Sequence, residues 1–182
     1  MAKSNRMPTP TLSPAEISLQ RVLTVSRLNG WSVIVIAALG SLLALAIGDL
    51  LSALIGLLVF SAGLMEVRGH RQLQQRDPAG LILLVRSQLF LLAVMLVYCA
   101  GRLGSFDADT ALASLTPDME VMLAEAGLDK SSLLPLVRTA FFALYSAVAA
   151  ITLIYQGGLA LFYRSKTKLI AEALAILPPT SS

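Results

Sequence analysis

From Trp31 to Gly48 the chain carries no charged side chain, and the same holds from Leu50 to Met65 and from Thr139 to Tyr163. A fourth apolar stretch, Leu81 to Leu103, is interrupted only by Arg86 and Arg102. Each run approaches or exceeds the roughly 20 residues that cross a hydrocarbon slab about 30 Å thick. The chain has 182 residues, 56% of them hydrophobic and 14% charged. A soluble domain of that length cannot hide so much apolar surface, because a short chain leaves a large part of its surface exposed after folding. The expected fold is therefore all-α: an integral membrane bundle of four transmembrane helices running up and down, with spans at residues 31–48, 50–66, 81–103 and 139–163.

The first two spans are separated by little more than Asp49. Read as one helix, they would extend about 52 Å, too long for the slab, and Gly48-Asp49 supplies a turn signal between them. Basic residues then set the orientation. Lys3, Arg6, Arg21 and Arg27 precede the first span, Arg68, Arg71 and Arg76 follow the second, and Arg164, Lys166 and Lys168 follow the fourth. With four spans all three groups fall on one side. The segment from 104 to 137 falls on the other and carries Asp107, Asp109, Asp118, Glu120, Glu125 and Asp129. The positive-inside rule predicts cytoplasmic N- and C-termini in a cell (inner) membrane. The first apolar run begins about 30 residues into the chain without a small-residue cleavage site, which predicts an uncleaved signal anchor.

The membrane domain is expected over residues 14–163. Ser13-Pro14-Ala15-Glu16 has the form of a capping box with proline at the first helical position. It opens an amphipathic segment, 14–28, with Leu19, Val22, Leu23 and Val25 opposing Gln20, Arg21, Thr24 and Arg27, which predicts a short interfacial helix. Thr116-Pro117-Asp118 opens a second short helix in the 104–137 loop, which Gly127 ends. Residues 1–13 form a disordered tail and 164–182 a basic cytoplasmic tail, with Pro178-Pro179 near its end.

Counting equal steps from each turn ranks residues by depth. Trp31 and Glu66 both lie about 17 residues, or about 26 Å, from the Gly48-Asp49 turn. Glu66 and Arg86 lie about ten residues on either side of Arg76-Asp77-Pro78, so they share a level, and an ion pair between them is expected at the membrane edge. Gln88 lies close by. If Arg138 marks the far edge of the slab, Tyr155 and Gln156 reach the same level; if Arg164 marks the near edge, Gln156 lies closer to the middle. The candidate site is accordingly a polar cluster of Glu66, Arg86, Gln88, Tyr155 and Gln156.

The residues offer little other chemistry. The lone Cys99 forms no intrachain disulfide and no multi-cysteine metal site, and a net charge of +3 is dispersed around the spans instead of forming a nucleic-acid face. His70, the only histidine, sits among Arg68, Arg71 and glutamines and reads as a solvated interfacial residue. Gly48-Asp49 has no second intramembrane aspartate with which to share a proton. No catalytic residue, cofactor site or metal site is predicted. Small residues at fourfold spacing, Gly40/Ala44/Gly48, Ser52/Gly56 and Ala143/Ala147/Ala150, suit close helix packing. The expected function is structural or accessory, through helix packing with a second copy or a partner membrane protein in the lipid bilayer, with no nucleic acid. The alternatives are an oligomeric channel or small-solute transporter with an inner polar vestibule, and a lipid-modifying membrane enzyme.

Overall fold

The computed structural model describes residues 13–108, 110, 117–125, 127 and 130–176. Its elements are α1 (Pro14–Ala46), α2 (Leu50–Gln74), α3 (Ala79–Gly104), α4 (Pro117–Glu125), α5 (Lys130–Ser165) and α6 (Thr167–Ile176). Four of them are long and apolar enough to cross a membrane: α1, α2, α3 and, within α5, Leu133–Ser165. The end of the bundle that carries Arg68, Arg71, Arg76 and Arg164 is called the basic end below.

The turns form where the residue types dictate. Ser13 accepts from the Glu16 amide while Glu16 Oε2 accepts from the Ser13 amide at 2.7 Å, and Pro14 follows, so α1 begins on a complete capping box. Gly48 turns the chain at φ +76°, a conformation open to glycine at no Cβ penalty, and Asp49 caps α2 by accepting from Ser52 N at 3.0 Å. Asp77 Oδ1 accepts from Ala79 N at 2.8 Å, starting α3. The helix expected after Thr116 is α4, and Gly127 follows it at φ +67°; Thr116 itself, and the tails at 1–12 and 177–182, lie outside the described residues.

Neighbouring helices pack in chain order, α1 on α2, α2 on α3 and α3 on α5, and α6 returns to pack on α1. Close approach depends on small residues. A Cβ on Gly63 would lie 3.2 Å from the Gly30 carbonyl oxygen, and one on Gly80 would lie 2.5 Å from that of Gly69. These two crossings, α1 with α2 and α2 with α3, bring backbone against backbone as small-residue packing in lipid requires. Of the stripes singled out in the sequence, Gly56 meets Ser41 across the first hairpin, whereas Gly40 has open space around it and Ala143, Ala147 and Ala150 face outward.

Two expectations are corrected. The segment 14–28 and the first span form one helix of 33 residues, about 50 Å long. Its buried positions, Ala15, Ser18, Val22, Ser26, Asn29, Gly30, Ala37 and Ala44, fall along one side of the helix. The apolar side of 14–28 is thus consumed in protein packing. The chain after Arg164 also keeps going as structure: α6 inserts Ile170 and Ala173, each 1% exposed. Val22, Leu73, Leu81, Leu84, Tyr163 and Ile170 make one core cluster drawn from five helices. This core sits at the basic end. Toward the other end α5 rests on α3, and no residue from 133 to 155 is buried.

Candidate functional site: a buried polar cluster

Directly above that core, polar side chains from four helices converge. The α1 face contributes Ser26 and Asn29, α2 contributes Glu66 and His70, α3 contributes Ser87 and Gln88, and α5 contributes Tyr155, Gln156 and Tyr163. All but Tyr155 are buried. Their spacings explain the convergence, because residues three or four apart share a helix face, and 26/29, 66/70 and 84/87/88 obey that rule.

Glu66 is 1% exposed and is held by two donors. Asn29 Nδ2 donates to its Oε2 at 2.7 Å and Tyr163 OH to its Oε1 at 3.0 Å. Asn29 in turn accepts at Oδ1 from Tyr155 OH at 3.1 Å. One connected network therefore joins α1, α2 and α5 around a single carboxyl group. Ser26 Oγ and His70 Nδ1 lie 3.0 Å apart and make a second link between α1 and α2. Ser87 Oγ donates to the Leu84 carbonyl at 2.8 Å. Both amide atoms of Gln88 and Oε1 of Gln156 are buried without a hydrogen-bond partner.

Of the five residues expected here, Glu66, Gln88 and Gln156 are buried, and Tyr155, half-exposed, reaches Asn29. Arg86 does not join them. It is exposed and lines a surface groove with Met65, Arg68 and Gln72, and among the described residues it makes no ion pair with Glu66. The reckoning of depth holds: Asp49 meets Arg102 and Gly69 meets Leu84, so Glu66 and Arg86 do share a level. Azimuth defeats the pair. The buried stripe of α3 includes Leu84, Ser87, Gln88 and Leu91, and Arg86, two residues after Leu84, lies about 160° from it around the helix.

His70 corrects another expectation. It is 7% exposed, enclosed between α1 and α2. Its neighbour Ser26, fully buried, donates its own proton to the Leu23 carbonyl at 3.2 Å. The Ser–His contact is enclosed between α1 and α2, so it lacks the access that a nucleophile requires. Among the described residues, no three His, Cys, Asp or Glu side chains are grouped to hold a metal ion.

The opposite end carries a separate polar node. Arg102 Nη2 donates to Asp49 Oδ2 and to Ser52 Oγ, each at 2.7 Å, and its guanidinium lies 5.4 Å from the Tyr98 ring centre. The Ser52 amide and hydroxyl hold the Asp49 carboxyl down at about 2, with Arg102 adding to the effect. Tyr98, Tyr145, Phe141, Phe142 and Phe106 continue this node as an aromatic cluster between α3 and α5.

Comparison with known proteins finds no matching family model, no matching curated protein and no matching solved structure.

Proposed function

We propose that this chain is a multi-pass protein of the cytoplasmic (inner) cell membrane, with both termini cytoplasmic, and that it serves a structural or accessory role by packing against a second copy or a partner membrane protein. The observation that carries this reading is α5: from 133 to 155 none of its residues is fully buried, and Ala143, Ala147 and Ala150 face outward. Helices in lipid associate through such small-residue faces. The interior polar groups support the same reading, because Glu66, Asn29, Tyr155 and Tyr163 are engaged with one another across helices. Orientation rests on the basic residues at one end, as the positive-inside rule requires.

Two experiments test it. With Cys99 replaced by serine, a cysteine at Ser105 is expected to react with a membrane-impermeant reagent in intact cells and one at Ala79 is not; the reverse pattern overturns the orientation. A photo-cross-linking residue at Ala147 is expected to give protein adducts, either with a second copy or with another membrane protein. Lipid adducts alone overturn the packing role.

A second reading, an oligomeric channel or small-solute transporter, draws support from the buried side-chain oxygen of Gln156, which has no hydrogen-bond partner, since such groups are satisfied by water or by a passing solute. Ion or solute flux by the purified protein in liposomes, lost on Gln156→Leu, would establish it. Flux that ignores the substitution removes that vestibule.

A further inference from the structure

The exposed side of Arg86 faces a second groove, between the start of α3, the end of α5 and α6. Its volume is about 660 Å³, within the range of small-molecule sites. Leu81, Ile82, Val85 and Ile170 line it, and Arg86 and Arg164 supply its two cations. Among the described residues neither guanidinium has an ion-pair or hydrogen-bond partner. The one carboxylate in the lining, Asp77, accepts from Ala79 N at the start of α3 and is already engaged. An apolar slot with two unpaired guanidinium groups has the chemistry of an anionic amphiphile site. Two forces fix the class of ligand. Arginines near the hydrocarbon edge extend into the headgroup layer, where each adds attraction for anionic lipid, and basic pockets between helices on the cytoplasmic side take phosphate headgroups whose chains remain in the apolar phase.

We propose that this groove binds one anionic phospholipid of the basic-end leaflet, with Arg86 and Arg164 sharing its phosphate and Ile82 and Val85 covering an acyl chain. The site rests on the membrane reading given above. It explains why Arg86 points away from Glu66, and it places a lipid against α6, the helix that closes the core onto α1.

The test uses the full chain, purified and offered vesicles of phosphatidylcholine containing a minor share of phosphatidylglycerol with the same acyl chains. Native mass spectrometry then counts the lipids that stay bound. Wild type is expected to retain one phosphatidylglycerol in preference to phosphatidylcholine. Arg86→Ala with Arg164→Ala is expected to weaken that retention roughly 25-fold, from the attraction each basic residue adds near an anionic surface. The double lysine variant should keep most of it. Ile82→Trp, which leaves both charges and alters a surface residue, should lose the lipid by filling the slot, and Arg138→Ala, at the other end, should change nothing. A chain that fails to enter the vesicles overturns the membrane reading together with the site. Entry with equal retention of the two lipids, or unchanged retention in the double alanine variant, overturns the site alone. Displacement by millimolar inorganic phosphate assigns the arginines to free phosphate and overturns the lipid, and full retention by Ile82→Trp overturns the placement of the chain.

Discussion

Gly80→Ala is the sharpest probe of how the bundle holds together. The added methyl would lie 2.5 Å from the Gly69 carbonyl oxygen and 2.7 Å from the Leu73 amide nitrogen. Both are backbone atoms of α2 and cannot rotate aside. Restoring contact near 3.5 Å requires α2 and α3 to part by about 1 Å, and overpacking of this kind costs about 1–3 kcal/mol. Alanine returns up to about 1 kcal/mol of helix propensity. Opening the crossing also loosens Leu73, Leu81 and Leu84, which belong to the basic-end core, so the net loss should be about 1–2 kcal/mol. Gly101 in the same helix is the control, because nothing lies within 4 Å of its added Cβ; there alanine should be neutral or stabilising by up to about 1 kcal/mol. Reversible unfolding in mixed micelles, titrated with a denaturing detergent, measures both variants. A Gly80→Ala protein as stable as Gly101→Ala would refute the close crossing.

Three further outcomes follow from the polar nodes. Glu66→Gln keeps an acceptor for Asn29 and a partner for Tyr163, whereas Glu66→Leu strands both. The leucine variant should lose about 2–5 kcal/mol in the same titration and the glutamine variant far less; equal losses would show that the hydrogen bonds do not hold the helices. Tyr163→Phe removes one donor to Glu66 and should cost about 1–2 kcal/mol, with unchanged stability counting against the network. The folded-state pKa of Asp49 is depressed from 3.8 to about 2, so its contribution is complete above the unfolded value and fades as pH falls through the folded one. Asp49→Asn should therefore flatten the acid limb of the stability curve between roughly pH 4 and pH 2 and leave the region near pH 7 without slope. An unaltered acid limb would place that transition on other groups.

How far the chain could be read in advance follows from what each part of the fold answers to. Helix ends depend on local residue types, so the Ser13 capping box, the Gly48-Asp49 turn and the start of the helix at Pro117 were legible. Depth depends on counting, and the contacts of Gly30 with Glu66 and Val67 and of Arg102 with Asp49 bear the counting out. Facing is different. In an apolar helix of this kind the outward side and the packed side are made of the same residue types, so Arg86 and Glu66 could be set level without any sign that they point apart. The usable signal was polar spacing: Ser26 and Asn29 on one helix and Glu66 and His70 on the next each share a face, and together they mark the interior. The continuity of α1 through Asn29-Gly30 and the docking of α6 arise from tertiary contacts that no short window contains. The outward direction of Ala143, Ala147 and Ala150 likewise depends on which side of α5 meets α3.

The return of α6 onto α1 imposes an order on biosynthesis. Val22 and Ile170 belong to one cluster, yet at about 5–20 residues per second the ribosome delivers the second roughly 7–30 s after the first. The opening hairpin can seal Asn29 against Glu66 early, while the seat beside Val22 stands vacant and the carboxyl group waits for the Tyr163 hydroxyl. Assembly is thus completed by the later helices, and a nascent chain arrested before Thr167 is left with an unfilled apolar socket beside Val22.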